Sequence, residues 1–304
     1  MKRRTKNVVW LVAILGTNTI GLCTEPFAKG PYLGQTPPGS TAQVFAPGLI
    51  SDTRPKTWEA FGTFSADGNT FCFHQNRGVF ITENTDQGWT VPKRIDVIRE
   101  NQRSAWSPCL SPDGNAIYYS IGNPRVEGPS DLFRCSRTAR GWAMPQRLGP
   151  PLSSGSWEFT FSLAANNNFY LSSGRKGKHE SNTLSVAPFV DNTWPRANPI
   201  SFNHQAADPG IAPDESFMVF TAKDVPGGYG HRDLYLTLRL PDGTWSKPRN
   251  LGPRINSTYI EHGPRISPDK KCLFFTRSDG WDPRKHSADI YWVELKEHLP
   301  ESHR

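Results

Sequence analysis

The sequence predicts an all-β fold, a five-bladed β-propeller of four-stranded antiparallel blades. Three observations carry the prediction. A turn motif recurs along the chain, an aromatic strand follows each copy, and a spare strand-like segment near the N-terminus fits the unfinished last repeat. Composition agrees: 12% aromatic residues, 26 glycines and 27 prolines suit short strands and tight turns rather than long helices.

The turns read S-A-D-G-N at 65–69, S-P-D-G-N at 111–115, L-A-A-N-N at 163–167, A-P-D-E-S at 212–216 and S-P-D-K-K at 267–271. Centred on Asp67, Asp113, Ala165, Asp214 and Asp269, they are spaced 46, 52, 49 and 55 residues apart. That period leaves room for four strands per repeat. The motif is explained by turn chemistry alone: Ser111 suits the first position, Pro112 fixes φ at the second, and Asp113 and Gly114 suit the last two.

Second strands follow as F-C-F-H at 71–74, I-Y-Y-S at 117–120, F-Y-L-S at 169–172, M-V-F-T at 218–221 and L-F-F-T at 273–276. They are apolar on both faces, as a sheet sandwiched between two others must be. Third strands begin at Asp131, Asp233 and Asp289, with G-V-F-I at 78–81 and N-T-L-S at 182–185 in the other repeats. Matched carboxylates on separate blades lie around a ring instead of converging, so these three aspartates are assigned to bonds with nearby backbone.

Outer strands read G-W-T-V-P at 88–92, G-W-A-M-P at 141–145, N-T-W-P at 192–195 and T-W-S-K-P at 244–248. Pro suits an edge strand, where one side needs no ladder donor. The last repeat ends without such a segment, and A-Q-V-F-A-P-G-L-I-S at 42–51 supplies it. The propeller therefore spans 42–297, after a lead-in at 24–41 and before a tail at 298–304.

The S-P-D-G turns, the aromatic strands after them and the Asp-Leu/Ile-aromatic starts resemble the PD40, WD40-like repeats of TolB-type proteins over residues 40–297. P-Y-L-G-Q-T-P-P-G at 31–39 is similar to the lead-in of bacterial exported members. The third repeat departs from the pattern at Ala164-Ala165-Asn166, and the first lacks the Asp-aromatic start. The resemblance implies a binding or scaffold module for a protein or glycan in the cell envelope. Some propellers of this type are lyases of acidic oligosaccharides, which keeps a carbohydrate-active enzyme as the alternative.

Residues 1–23 read as a secretory signal peptide: Lys2, Arg3, Arg4 and Lys6 precede an apolar run from Val8 to Leu15, and small residues follow. The mature chain is then expected in the periplasm or outside the cell, with no transmembrane span. Cys23 would carry a lipid if Ile20-Gly21-Leu22-Cys23 served as a lipoprotein signal, but Leu22 stands where that pattern wants a small residue. Removing the four leader charges from a formal net charge of +7 leaves a weakly basic chain. Without a dense Lys/Arg run, nucleic acid is not an expected partner. Five cysteines show neither C-x-x-C nor zinc spacing and are assigned as buried thiols.

Function must come from a site, since propellers host unrelated activities. The residues just before each first strand are expected to approach the channel mouth: Trp58 and Glu59, Arg103 and Trp106, Trp157 and Glu158, His204, Gln205 and Asp208, then Tyr259, Glu261 and His262. Indoles, imidazoles and carboxylates around one concavity suit a sugar or peptide. No catalytic residue, metal site or cofactor is assigned. Under the enzyme alternative, a divalent ion would need His204, His262 and a third ligand such as His74, and a hydrolase would need two of Glu59, Glu158 and Glu261. No nucleophile elbow, P-loop or dinucleotide fingerprint occurs.

Overall fold

The computed structural model describes residues 28–52, 54, 56–76, 78–98, 105–122, 130–154, 157–174, 182–203 and 205–303. The assigned leader with Cys23 lies outside these residues, as do Arg103 and His204.

Gln43–Val44 (β1) comes first, and antiparallel sets four strands deep follow in chain order. Glu59–Phe64 (β2), Thr70–Gln75 (β3) and Gly78–Thr85 (β4) form the first, edged by Gly88–Trp89 (β5) and Lys93–Arg94 (β6). Ala105–Leu110 (β7), Ala116–Ile121 (β8), Asp131–Thr138 (β9), Gly141–Trp142 (β10) and Gln146–Arg147 (β11) repeat that plan. The third set is Trp157–Leu163 (β12), Phe169–Gly174 (β13), Asn182–Ala187 (β14) and Asn198–Ile200 (β15). The fourth is Ala206–Ile211 (β16), Phe217–Lys223 (β17), Arg232–Leu238 (β18) and Arg249–Asn250 (β19).

Ile260–Ile266 (β20), Cys272–Ser278 (β21) and Ala288–Glu294 (β22) end the series. Strand β1 completes them, with Gln43 opposite Trp292 and Val44 opposite Tyr291. A single parallel pairing, Arg232 with Ile260, joins the last two sets. An all-β chain of four-stranded sheets in sequence order is the architecture of a β-propeller.

The turns close on their own side chains. Asp67 Oδ1 accepts the Ser65 hydroxyl at 2.5 Å and the Asn69 amide at 3.0 Å, which hold its carboxyl below the usual range. Asp113 takes Ser111 and Asn115 in the same way, and Asp269 takes Ser267 and Lys271. Asp214 instead receives both the amide and the hydroxyl of Ser216. In the third turn the sequence expectation is off by one residue. Asn166, not Ala165, does the work of the aspartate, accepting the Asn168 amide at 3.0 Å, and Asn167 (φ 65°) stands where Gly68 (φ 72°) and Gly114 (φ 68°) do. Asn serves because its side-chain oxygen accepts the same bond and Asn tolerates the left-handed region.

Two outer strands also lie later than the Trp-Pro segments suggest. Pro195 and Pro248 have no N–H for the ladder, and pairing resumes beyond them at β15 and β19. At the starts of the third strands, Asp233 accepts the amides of Tyr229 (2.8 Å) and Gly230 (3.1 Å). Asp131 instead pairs with Arg147, and Asp289 sits half-buried opposite Arg277, its carboxyl raised by burial.

Hydrophobic layers fill the space between consecutive sets. Phe71 and Phe73 of the first set meet Phe274, Ile290 and Trp292 of the last, with Phe45 in edge-on contact with Phe274 at 5.0 Å. Similar layers join Val79 to Tyr119, Tyr118 to Phe169, Tyr170 to Phe220 and Val219 to Phe275. Cys72, Cys109, Cys135 and Cys272 are free, buried thiols within these layers.

The first strands β2, β7, β12, β16 and β20 lie side by side, with β2 also against β20. Each slips register at the same place: between Ala60 and Thr63, Trp106 and Cys109, Glu158 and Phe161, Ala207 and Gly210, and His262 and Arg265. Four of these bulges hold a left-handed residue, namely Phe61 (φ 58°), Ser107 (φ 50°), Asp208 (φ 51°) and Gly263 (φ 59°). Pro108, Pro209 and Pro264 follow directly, at positions where the interrupted ladder asks for no donor.

Crowding between these strands is severe at Gly210, where a Cβ would stand 2.6 Å from the Pro264 carbonyl oxygen. The obstacle is backbone, which cannot rotate away. Gly210→Ala is therefore expected to lower unfolding stability by about 1–3 kcal/mol, measured by urea denaturation. A surface control, Gly149→Ala, has nothing within 4 Å of its added Cβ and should lose far less.

Candidate functional site

Where the first strands begin, a cavity of about 350 Å³ opens. The bulges shape it. A left-handed residue turns the strand, and two of the bulge side chains, Phe61 and Asp208, line the cavity together with Phe159 at the matching place in β12. Strain of this kind costs about 1–3 kcal/mol per residue and persists where the surroundings enforce it.

The walls are largely aromatic: Trp58, Trp106 and Trp157 come from the starts of first strands, and Trp281 from the segment after β21. Trp58 and Trp106 meet edge-on at 6.4 Å, and Trp106 stacks at 4.5 Å on His74, whose ring is fully buried and held down to about 3 by that burial. Two indoles elsewhere have structural partners: Trp89 Nε1 donates to Gly30 O at 2.8 Å and Trp194 Nε1 to Asn167 O at 2.9 Å. Trp58 and Trp106 differ, because neither buried Nε1 finds an acceptor among the described residues. An unsatisfied buried donor costs about 1–3 kcal/mol, so such groups concentrate where function retains them.

Three ionisable groups complete the site. Asp208 Oδ1 accepts the Thr160 hydroxyl at 2.6 Å, and its Oδ2 accepts Thr221 at 3.0 Å, with Arg232 Nη1 at 3.5 Å. Arg232 lies over the Trp281 ring at 5.1 Å. His262 packs 5.4 Å from Phe61 and 5.2 Å from Trp281. Burial pushes its imidazole down to about 4, the Asp208 charge opposing and Arg232 adding to the shift. It is neutral at physiological pH.

Of the residues placed at the mouth from sequence, Trp106, Asp208 and His262 line this cavity, as do Trp58 and Trp157. The three glutamates do not. Glu59 binds Gln75 Nε2 at 3.1 Å, Glu158 binds Ser154 and Ser173, and Glu261 binds Ser257 and Arg277, each across or beside its own sheet. Glu59 and Glu261 precede their bulges by the same step, whereas Glu158 stands one residue later, level with Trp106 and His262. Tyr259 is exposed outside the cavity.

Phe61, Phe159, Thr160, Ser172, Arg232 and Trp281 were not legible as site residues. The bulge positions carry a signal only in hindsight, as the repeated S-P, D-P and G-P steps at 107–108, 208–209 and 263–264. Among the described residues Asp208 is the one carboxylate lining the cavity, and no group of three His, Cys, Asp or Glu side chains could hold a metal ion. Aromatic faces with a few fixed polar groups can stack on and orient a small polar ligand.

Burial pushes the Glu59 carboxyl from 4.5 up to about 7, against the lowering effect of Gln75. The fold thus favours the protonated acid. Its contribution is full below about pH 4.5 and is lost as pH rises through about 7. Between pH 5 and 8, wild type is expected to lose more unfolding stability than Glu59→Gln, measured by urea denaturation. Parallel losses in both proteins would contradict this assignment.

No protein-family model matches the chain, and no curated protein does. Solved structures are similar. A glycoside hydrolase aligns with a TM-score of 0.54 at 13% identity, covering 84% of this chain and 91% of that one. TolB from Acinetobacter baumannii aligns with a TM-score of 0.52 at 11% identity over 81% of this chain. A thermostable family-43 glycoside hydrolase gives 0.51 at 13% identity, covering 77% of this chain and 89% of that one. The chain spans 56% of the length of the TolB chain. At these identities the likeness concerns the fold alone, which is a TolB-like β-propeller.

Proposed function

We propose that this chain is an exported, five-bladed propeller that binds a glycan in its aromatic cavity, as a recognition module of the bacterial cell envelope. Five four-strand sets, the hydrophobic layers between them and the β1–β22 pairing support five blades closed by the N-terminal strand. Export rests on the basic and apolar leader pattern of residues 1–23. No helix among the described residues is long and apolar enough to cross a membrane.

One observation carries the binding assignment: four indoles converge on a small cavity with Asp208, Arg232 and His262. Indole faces cover the apolar face of a sugar ring, while a few fixed polar groups orient its hydroxyls. The cavity volume of about 350 Å³ falls at the small end of ligand sites and suits a terminal sugar unit better than an extended chain.

The enzyme alternative draws support from the glycoside hydrolases that share the fold. The described residues fit it less well. Glycoside hydrolysis uses two carboxyl groups about 5–10 Å apart, and the three glutamates that might join Asp208 are bonded elsewhere. A divalent-ion site also lacks three ligands among the described residues.

Titrating the mature protein with a panel of envelope oligosaccharides should give saturable changes in tryptophan fluorescence. Trp281 is 45% exposed, so its removal is expected to cost the fold little. Trp281→Ala is expected to weaken binding by about tenfold or more at unchanged Tm. A panel that leaves the fluorescence flat would remove the basis of the proposal, and turnover of a panel member would favour the enzyme.

A further inference from the structure

Below the aromatic cavity the channel contains a buried cation, Arg265, with no counter-charge in contact among the described residues. Arg265 follows the bulge of β20, at the register place held by Thr63, Cys109, Phe161 and Gly210 in the other first strands. It is 3% exposed. Its Nη1 donates to the Pro264 carbonyl at 2.9 Å, while Nε and Nη2 are buried with no acceptor among the described residues. No carboxylate forms an ion pair with it among those residues. Asp208 acts on it through space, but the Asp208 oxygens are already taken by Thr160 and Thr221.

Leaving a guanidinium in this state is expensive. Burying an unpaired charge remains strongly unfavourable even after the surroundings relax. Cys109 bonds to the guanidinium and, with Cys72, partly offsets its burial, but burial raises both thiols, so neither supplies a full counter-charge. A second cavity, of about 70 Å³, adjoins the side chain. Thr63, Cys109 and Ser162 line it beside Arg265, and the five turns ring its opening through Ala66, Pro112, Ala165, Pro213 and Pro268. Ser162 already accepts the Ile211 amide at 3.0 Å, which leaves its hydroxyl proton to donate.

We propose that Arg265 holds a small monovalent anion of halide size in this inner cavity, reached through the turn-ringed mouth. The guanidinium supplies the charge, and the Ser162 hydroxyl donates beside it. The cavity is large enough for a halide with a water or two and too small for a sugar acid. Such an anion binds the folded chain only and stabilises it by mass action. This site is separate from the proposed glycan cavity, and either can fail without the other.

The test uses the mature chain in thermal unfolding at constant ionic strength, with sodium gluconate exchanged stepwise for sodium chloride or bromide. Wild type is expected to gain about 2–4 °C in Tm, saturating with either halide. Arg265→Met should show no halide-specific gain and, with the unpaired charge removed, a Tm in gluconate at or above that of wild type. A wild-type Tm that ignores the exchange, or an Arg265→Met protein that keeps the gain, overturns the proposal. Should the variant not fold, anomalous diffraction from bromide-soaked wild-type crystals decides. A peak beside Arg265 supports the site, and peaks confined to the outer surface contradict it.

Discussion

Every sheet in this protein is apolar on both faces, so every sheet must be covered twice. That constraint organises the rest. Second strands such as Ala116–Ile121 are buried along their whole length, and aromatic rings from consecutive sets meet in continuous layers. A single sheet of this kind could not persist in water. The N-terminal β1 pairs with β22, and the last sheet packs on the first through Phe71 and Phe274. Covering each face in turn brings the five first strands together, to the point where Gly210 has no room for a side chain.

That crowding connects architecture to site. Extended strands this close would send their side chains into one another. Each first strand instead slips register by a bulge, and four of the bulges turn through the left-handed region. The turn presents Phe61 and Asp208 to the cavity and sets Arg265 just beyond it. The two polar features of the channel are therefore products of one repeated backbone irregularity. At the other end of the same strands, the turns serve architecture: Asp67 and Asp113 bond within their own loops, while Asp214 also takes Lys270 of the fifth turn and Asp269 the Tyr32 hydroxyl.

What the sequence makes legible is what local chemistry decides. Ser-Pro-Asp-Gly forms a turn through bonds within five residues, so the repeat and its period can be read directly. The third turn shows the limit: Ala165 occupies the place suggested by the motif, while Asn166 carries the bond that defines the turn. At the site, Trp106, Asp208 and His262 are recognisable because they sit in or beside first strands. Glu59, Glu158 and Glu261 share that neighbourhood but bond to Gln75, Ser173 and Arg277. Nothing in the sequence says on which side of a bulge a side chain will emerge. Arg232 and Trp281 escape notice for another reason, since they reach the cavity from the third strand of one sheet and a connecting segment of the next.

The central claim is that the bulges build one ligand site where the first strands begin, and that the turn-lined end is structural apart from its small inner cavity. A crystal structure of the mature protein with a bound oligosaccharide tests it most directly. The account predicts a sugar ring stacked on Trp106 or Trp281, with a hydroxyl in reach of Asp208 or Arg232. Sugar density confined to the outer strands or to the turns around Asp67 and Asp269, with the aromatic cavity untouched, would contradict it.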